Sequence, residues 1–271
     1  LSGVASADQV ITVTPVSNQI YDINGSVVST SQSNNTMNLI DKNYTLTLNG
    51  NNEYAAYEGD EPNTDFQPTD WSIQAWVDPS GLPSNNNSEW FVSKHQVYRI
   101  GLNNSGGTTK INGEMRHNGS WETLEGTTIA NTSGGWYHVV LTFNDSANDL
   151  KLYVNGSNVA QNLNFSGSTN NNNSEFTIGN RNSSSSAWYN GIIDEVAFWD
   201  TDLSSSAVSA LYNSGSGLNA LSSSGNYPVI DGTNKLVLYL RMQQNLADSD
   251  ASYDFAGSGI ASGNYNADPI D

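Results

Sequence analysis

Apolar and polar residues alternate with a period of two along much of the chain. Trp71, Ile73, Ala75 and Val77 fall on one side of such a segment. Because successive side chains of a β-strand point to opposite faces, this pattern predicts a strand with one buried face. Comparable short segments occur at residues 44–48, 53–57, 90–93, 97–102, 114–117, 121–124, 136–143, 150–154, 175–178 and 191–199. The pattern therefore predicts an all-β protein.

Turn residues join several of these segments. Asn49-Gly50 separates two predicted strands and is typical of the tight turn of a β-hairpin. Asn155-Gly156 carries the same signal after the segment 150–154. The segments 136–143 and 150–154 are joined by polar residues only, which predicts that they form a hairpin.

A helical pattern is clear at residues 204–212. Its apolar face consists of Leu203, Ala207, Val208, Leu211 and Tyr212. Asp202 or Ser204 can cap the first turn, and Gly215 ends the pattern. We therefore expect one short helix directly after the strand at 191–199.

The two ends of the chain have a different character. Residues 1–40 predict an extended N-terminal arm, because an alternating segment at 10–14 is interrupted by Pro15 and followed by polar turn residues. The arm either lies on its own domain or pairs with the sheet edge of a neighbouring subunit, which would form a homo-oligomer. Residues 235–242 predict a strongly apolar strand, and an acidic, serine-rich turn follows at 245–254.

The charge balance excludes two classes of partner. The chain has 27 acidic and nine basic residues, a formal net charge of −18. A surface of this kind repels nucleic acid and anionic membranes, so we expect neither as a partner. No apolar run approaches the roughly 18 residues of a membrane span, so we expect no membrane insertion. The acidity indicates solubility in a salty medium, carboxylates that bind Ca²⁺, or both.

The numbers of aromatic residues, cysteines and histidines further restrict the class of protein. Seven Trp and thirteen Tyr argue against disorder. The absence of cysteine excludes disulfides and thiolate metal sites, and the three histidines show no zinc-ligand spacing. His138 lies between apolar neighbours in a predicted strand, so we expect a packed, hydrogen-bonded histidine there. The chain begins with Leu1, which we take to indicate a processed form or a fragment.

Three segments carry a family resemblance. They are the strand at 71–77, the hairpin at 136–156 that begins Trp136-Tyr137-His138-Val139, and the stretch 191–212, in which an Asp194-Glu195 strand leads into the short helix. Together they resemble the laminin-G-like branch of the concanavalin A-like lectin–glucanase superfamily. The resemblance implies an all-β jelly-roll sandwich of two antiparallel sheets with one short helix, in a domain covering residues 41–271.

The late apolar strand occupies an unusual place for this family. Residues 235–255 resemble the segment that usually opens such a domain, but here they come last. We expect residues 225–255 to supply a late strand and turn to the same sandwich through a circular permutation. The alternative is the start of a truncated second domain, with a boundary near residue 220.

The resemblance also implies a structural Ca²⁺ between the acidic strand and the acidic turn. The residues that match its ligands are Asp194, Asp248, Asp250 and Asp254. Two carboxylates with backbone carbonyls and a hydroxyl would supply the oxygens that Ca²⁺ requires. The alternative for Asp194 is a buried acid that accepts hydrogen bonds from loop amides. The acidic loop at 60–65 is a weaker second calcium candidate.

The spacing of the acids argues against catalysis. Glucanases of this superfamily carry acids at alternate positions of one strand, so that all of them face the substrate. Asp194 and Glu195 are adjacent, which in a regular strand places them on opposite faces. No Glu-x-Asp-x-Glu sequence occurs in the chain. We therefore expect a protein that is not an enzyme.

Several polar and aromatic residues are candidates for ligand binding. They are Arg116, His117, Asn118, Trp121, Trp188 and Tyr189. We expect them to be exposed, because they lie near Gly, Ser or Asn rather than inside apolar runs. Packing in the core or against a sheet is the alternative for Trp121 and Trp188. By contrast, we expect Trp71, Trp136 and Phe198 to lie in the core.

The sequence therefore predicts a non-catalytic extracellular recognition or adhesion module. Its expected ligand is a glycan or another cell-surface molecule, with calcium in support. The alternative is a structural surface protein, such as a virion decoration, fibre or surface-filament subunit, that uses the jelly roll as a scaffold. Both functions imply a secreted protein at an extracellular or virion surface. Fold alone does not separate them, because function depends on sites grafted onto the fold.

Overall fold

The computed structural model describes residues 9–12, 36–39, 44–57, 66–130, 132, 135–163, 169–170, 172–183, 187–220, 235–242, 246, 253 and 255–267. The chain divides into two units, Leu1–Asn43 and Tyr44–Asp271. In the first unit, β1 (Gln9–Thr12) and β2 (Thr36–Leu39) pair antiparallel, with Gln9 opposite Leu39.

The second unit contains fifteen strands among its described residues. They are β3 (Tyr44–Asn49), β4 (Tyr54–Tyr57), β5 (Trp71–Pro79), β6 (Ser88–Lys94), β7 (Tyr98–Ser105), β8 (Thr108–His117), β9 (Ser120–Ile129), β10 (Tyr137–Asn144), β11 (Asp149–Val154), β12 (Ser157–Asn162), β13 (Phe176–Ile178), β14 (Asn190–Trp199), β15 (Leu236–Leu240), β16 (Ala256–Ser258) and β17 (Tyr265–Ala267). One helix, α1 (Ser205–Tyr212), follows β14, and short 3₁₀ turns occur at Asn213–Gly215 and Ser262–Asn264.

The strands form two antiparallel sheets. Sheet I has the order β12-β11-β10-β5-β14-β3-β17, and β15 also pairs with β14. Sheet II has the order β16-β4-β13-β6-β7-β8-β9. The two sheets share one apolar core cluster with residues from both, and this arrangement with its single short helix confirms the predicted jelly-roll sandwich. In the described part of the chain, no helix is both long and apolar enough to span a membrane.

The alternation in β5 determines which of its faces meets the core. Trp71, Ile73, Ala75 and Val77 are all fully buried and belong to the main core cluster, as predicted. Phe198 is also buried there. Trp136 differs from its prediction: it lies one residue before β10 begins and stays half-buried, outside both core clusters.

A second apolar cluster covers the other face of sheet I. It joins Val140, Tyr153, Ala197 and Trp199 to the buried face of α1. The Ser204 hydroxyl accepts a hydrogen bond from the Ala207 N–H and caps the helix, as one of the two predicted caps. The helix ends at Tyr212, as predicted, and Asn213 rather than Gly215 adopts the left-handed conformation directly after it.

The two predicted turns have different outcomes. Asn155 and Gly156 both have positive φ (51° and 73°) and join β11 to β12 in a hairpin, as expected. The prediction of a hairpin at Asn49-Gly50 is wrong, since β3 lies in sheet I and β4 lies in sheet II. Gly50 is nevertheless required there: its φ is +70°, and a Cβ atom would lie 2.7 Å from the Asn190 Cβ.

The acid pair lies where β14 changes partners. Residues 190–193 of β14 pair with β3, whereas residues 196–199 pair with β15. A bulge separates the two halves, and Glu195 has a φ of +50°. Ile193 and Val196 both belong to the main core cluster, three positions apart, so regular alternation is interrupted between them. Asp194 is 6% exposed and the Glu195 side chain is 20% exposed, and because of the bulge the alternation of a regular strand does not set their directions.

The late segment lies in the same sandwich. Strand β15 pairs with β14 in sheet I, with Val196 opposite Leu240. Strand β16 adds to the edge of sheet II beside β4, and β17 adds to sheet I beside β3. Leu238 and Leu240 are buried in the main core cluster. The strand at 236–240 thus completes the core of the second unit.

Candidate ligand-binding site

The outer face of sheet II carries a cluster of polar and aromatic side chains. In β7, Tyr98, Ile100 and Leu102 lie in the core, so Arg99 projects from the opposite face. In β8, Ile111 and Met115 lie in the core, which places Glu114 and Arg116 on that same outer face. The register sets Arg99 opposite Glu114 and Arg116 opposite Trp121.

Arg99 is held between two indole rings. Its guanidinium carbon lies 4.1 Å from the ring centroid of Trp90 and 4.0 Å from that of Trp121. The arginine Nε and Nη2 both reach Oε2 of Glu114, at 2.6 and 2.5 Å. These contacts combine cation–π attraction with a charge-assisted hydrogen bond, so they fix the guanidinium in one position.

Burial makes this cluster rigid. The exposed fractions of the Arg99 and Glu114 side chains are only 14% and 7%. Burial lowers the pKa of Arg99, while Glu114 acts in the opposite direction. Gly101 leaves the space that Trp90 occupies, because a Cβ atom there would lie 2.7 Å from Cε3 of that indole and would also clash with the Glu89 carbonyl oxygen.

A cavity of about 470 Å³ opens beside this cluster. Its lining includes Glu89, Trp90, Arg99, Arg181 and Trp188. Two hydrogen bonds position the half-buried Trp188: Trp90 N–H donates to the Ala187 carbonyl at 3.3 Å, and Asn190 N–H donates to Glu89 Oε2 at 3.2 Å. The cavity therefore presents an indole beside both cationic and carboxyl groups.

Glu89 is the titratable group of this cavity near neutral pH. Burial raises its pKa to about 7, and the hydrogen bond from the Asn190 amide opposes that rise. Near neutral pH the carboxyl can therefore act as a hydrogen-bond donor when protonated and as an acceptor when ionised.

A second, smaller cavity of about 200 Å³ lies on the same sheet face. Its lining includes Asn103, Lys110, Asn112 and Glu125. The two cavities adjoin, because Asn103 Nδ2 donates a 2.8 Å hydrogen bond to Ser88 Oγ, and Ser88 lines the larger one. Asn112 is 2% exposed, and its Oδ1 has no hydrogen-bond partner among the described residues.

Three of the six predicted ligand-binding residues meet on this face. Trp121 covers Arg99, Arg116 lies 6.0 Å from the Trp121 ring, and Trp188 lines the cavity. Trp121 and Trp188 are each half-buried, so part of each ring is accessible. Arg116 donates from Nε and Nη2 to the Gly119 carbonyl, at 3.2 and 3.1 Å, which steadies the turn between β8 and β9.

The other three predicted residues lie elsewhere. Tyr189 is fully buried in the core against Phe91, so the expectation that it is exposed is wrong. Strand-like alternation already extends through Trp188 and Tyr189 and sends the tyrosine inward. His117 forms a bridge with Thr169 at the end of β8. Asn118 is exposed, and its positive φ of 47° serves the β8–β9 turn.

Four important residues were absent from the prediction: Glu89, Trp90, Arg99 and Arg181. Arg99 was recoverable from the sequence, since a charged residue flanked by Tyr98 and Ile100 in an alternating strand must face outward. Trp90 and Arg181 had no comparable signal. Their proximity depends on a loop after β13 that lies against β6, and the residue pattern does not specify that contact.

His138 is packed in sheet I, as predicted. It is fully buried, and its Nε2 lies 3.0 Å from Oε1 of Gln74, so the neutral ring donates from Nε2. Its ring lies between those of Trp76 and Tyr212, with centroid distances of 5.0 and 6.1 Å. Burial lowers the pKa of His138 to about 3, which removes it from acid–base chemistry near neutral pH.

The acid pair makes its contacts within the protein. Asp194 is 6% exposed, and its Oδ1 accepts the Glu195 N–H at 2.8 Å, which is the alternative that the sequence left open. Glu195 accepts a hydrogen bond from the Tyr239 hydroxyl and lies 3.8 Å from Arg241 Nε. Across the described residues, no group of three or more His, Cys, Asp or Glu is placed to hold a metal. Asp248, Asp250, Asp254 and the loop at 60–65 lie outside the described residues.

Comparison with known proteins identifies the family. A sequence model of the concanavalin A-like lectin/glucanases superfamily matches residues 49–209. The chain belongs to this superfamily. The match covers β6 to β9 and Trp188, which carry the candidate site, so the site lies within the superfamily domain. A search among curated proteins finds no match.

Several solved structures are similar to this chain. A putative carbohydrate-binding protein from Bacteroides ovatus matches with a TM-score of 0.59 and 15% identity over 89% of this chain and 66% of its own. The chain therefore spans just under two thirds of that protein. A heptameric pentraxin from Limulus polyphemus matches with a TM-score of 0.46 and 15% identity, covering 64% and 84% of the two chains. Domain 4 of an arabinanase from Geobacillus stearothermophilus, in complex with arabinotriose, matches with 0.44 and 20%, covering 61% and 75%.

Proposed function

We propose that the protein is a non-catalytic glycan-binding module whose site is the outer face of sheet II around Arg99. The observation that carries the proposal is the open cavity in which half-buried Trp188 lies beside Glu89, Arg99 and Arg181. A sugar has an apolar C–H face and a rim of hydroxyls. An accessible indole with fixed donors and acceptors around it complements both parts.

The family supports this proposal. Its members include lectins, and the Bacteroides ovatus protein with the same fold is described as a putative carbohydrate-binding protein. The engagement of Asp194 and Glu195 by neighbouring protein groups also favours binding over glycoside hydrolysis at that strand. The proposal includes an extracellular or surface setting, as a recognition or adhesion module.

Calcium support forms part of the proposal. Asp194 is the described residue on which it depends, and its buried carboxylate has the oxygen chemistry that Ca²⁺ prefers. The remaining ligands would come from the acidic turn after β15. Calcium in this position would act on stability rather than contact the sugar directly, because Asp194 lies in sheet I and the candidate site lies on sheet II.

Replacement of Trp188 tests the site. The protein is applied to a glycan array, and the strongest ligands are then measured by calorimetry with the wild type and with Trp188→Ala. We expect the substitution to weaken binding at least tenfold, because it removes the accessible ring of the cavity. Trp136→Ala is the matched control: that indole is also half-buried, but it lies beside sheet I, and its loss should change affinity less than twofold.

Two outcomes would reject the proposal. One is equal binding by the wild type and the Trp188 variant, which would place the glycan elsewhere. The other is an absence of bound glycan together with a ring or polymer in size-exclusion chromatography with light scattering. That second result would support the structural-subunit alternative, in which the N-terminal arm joins neighbouring copies into a homo-oligomer.

A further inference from the structure

Arginine is distributed unevenly in this acidic protein. The chain contains four arginines and has a net charge of −18. Arg99, Arg116 and Arg181 all lie around the outer face of sheet II, whereas Arg241 follows β15 in sheet I and lies near Glu195. The proposed binding site thus concentrates cationic groups that are scarce elsewhere in the chain.

The three arginines are close enough to influence one another. The charges of Arg181 and Arg116 both lower the pKa of Arg99, in addition to the larger effect of its burial. His95 also lies near these charges: burial lowers its pKa most, Arg181, Arg99 and Arg116 lower it further, and the Glu175 carboxylate raises it. These mutual effects place the three guanidinium charges in one region, and an anionic ligand bound there would reduce the repulsion between them.

Part of the donor capacity in this region is unused. The Nε and Nη2 groups of Arg99 both contact the Glu114 carboxylate, while its Nη1 has no hydrogen-bond partner among the described residues. The exposed Arg181 guanidinium likewise makes no hydrogen bond or ion pair within the described part of the chain. Both residues line the 470 Å³ cavity. One cavity therefore offers two guanidinium groups. Two carboxyl groups lie beside them: Glu114, which pairs with Arg99, and Glu89, whose pKa burial raises to about 7.

We propose that the glycan recognised by this site is acidic, and that its carboxylate or sulfate group binds between Arg181 and Arg99 while its ring packs on Trp188. This inference rests on the proposed function and names its ligand class. Guanidinium groups match planar oxyanions through paired N–H donors. Arg99 is already immobilised by its two indoles, so little conformational entropy is lost when it receives the anion.

Three related probes test this inference by calorimetry. They are a linear uronic acid oligosaccharide, the same oligosaccharide with its carboxylates reduced to neutral alcohols, and a sulfated oligosaccharide of similar length. We expect the uronic or the sulfated probe to bind at least tenfold more tightly than the neutral one. That preference should shrink as sodium chloride is added, because salt screens an interaction at a partly exposed site.

Charge-matched variants then locate the anion. Arg181→Gln should raise the Kd for the acidic probe about tenfold, the loss expected for one charge-assisted contact. Arg181→Lys keeps the charge without the paired donors, so its Kd should lie between those of the wild type and of Arg181→Gln. Lys235→Gln removes one positive charge from an exposed residue next to sheet I and should leave the Kd within twofold of the wild type.

The outcomes separate this inference from the proposed function. Equal binding of the acidic probes and the reduced probe, with sensitivity to Trp188→Ala, would overturn the acidic ligand and retain a glycan site. Binding of neutral glycans alone would do the same. Acidic binding that is equally reduced by Arg181→Gln and Lys235→Gln would also overturn it, because it would reflect overall charge. Loss of all glycan binding would reject both proposals.

Discussion

At the scale of single residues, burial of charge requires compensation that the sequence alone does not reveal. Arg99 loses most of its hydration on the outer face of sheet II, and three neighbours replace it: the rings of Trp90 and Trp121, and the Glu114 carboxylate. Removal of one partner would leave an uncompensated charge, which costs more than the contact itself contributes. We infer that this cluster fixes the site before a ligand arrives.

His138 gives the clearest prediction at this scale. Its pKa of about 3 in the folded protein lies below the usual value of 6.5, because burial disfavours the charged ring. The unfolded chain therefore takes up a proton near pH 6.5 while the folded protein does not. The contribution of His138 to stability is complete above pH 6.5 and is lost as the pH falls toward 3, by at most about 1.4 kcal/mol per pH unit.

Urea unfolding of the wild type and of His138→Gln between pH 4 and pH 7 measures this effect. Carboxylates contribute to the pH dependence of both proteins, so the difference between the two slopes isolates the histidine. Glutamine retains a donor for the Gln74 amide oxygen and does not titrate. Parallel curves for the two proteins would show that His138 is not buried in its neutral form.

At the scale of secondary-structure elements, a substitution in β15 tests whether the late segment belongs to the same core. Leu238 is 1% exposed and lies in the main core. Leu238→Ala removes buried methyl groups and leaves a cavity, so we expect a loss of about 2–4 kcal/mol in the free energy of unfolding. Val159→Ala is the control, because Val159 is 39% exposed on β12 and should cost less than about 0.5 kcal/mol.

The measurement is denaturant unfolding followed by tryptophan fluorescence. Similar small losses in both variants would contradict the placement of β15 beside β14. A second unfolding transition that only Leu238→Ala shifts would also contradict it, since a separate domain would then hold this strand.

Other elements show which sequence signals were sufficient. Asn155-Gly156 predicted its hairpin correctly, because a two-residue primed turn matches the twist of the paired strands. The same dipeptide at Asn49-Gly50 failed, since positive φ also suits a crossing between sheets. The dipeptide specifies a local conformation. Strand partners depend on contacts between distant residues, such as β3 with β14 and β4 with β13.

The bulge at Glu195 shows a related limit. The adjacent acids were predicted to face opposite sides, which holds only where a strand is regular. The irregularity arises where β14 leaves β3 and joins β15, a change of partner that involves three separate segments of the chain. The alternation of apolar and polar residues within one strand does not indicate where that strand changes partners.

At the scale of the whole molecule, the family and fold were accessible from sequence, whereas the site was only partly so. Trp121 and Trp188 were found from their polar surroundings, but they are 67 positions apart in the chain. The fold brings both near Arg99: Trp121 covers its guanidinium, and Trp188 lines the cavity that Arg99 also lines. Composition indicated an acidic protein and gave no sign that three of its four arginines gather there. The order of the strands in sheet II brings these arginines together.

Overall charge also shapes the test for calcium. A net charge of −18 destabilises the folded state through repulsion, so any added cation stabilises the protein by screening. A specific calcium site must therefore stabilise the protein by more than screening alone does. Occupancy at a hundredfold excess over Kd would add about 2.7 kcal/mol, which for a domain of this size raises the melting temperature by roughly 5–10 °C.

We expect this rise in chelator-treated protein on addition of millimolar Ca²⁺ in a constant background of sodium chloride. Mg²⁺ at the same concentration provides the same screening but demands a smaller, stricter coordination shell, so it should give a much smaller rise. Asp194→Asn should abolish the difference between the two ions, because it removes the proposed buried ligand. Asp200→Asn, at a half-exposed acid next to β14, changes the net charge equally and should preserve the difference between the two ions. Equal shifts with Ca²⁺ and Mg²⁺ would reduce the effect to screening and reject a calcium site at Asp194.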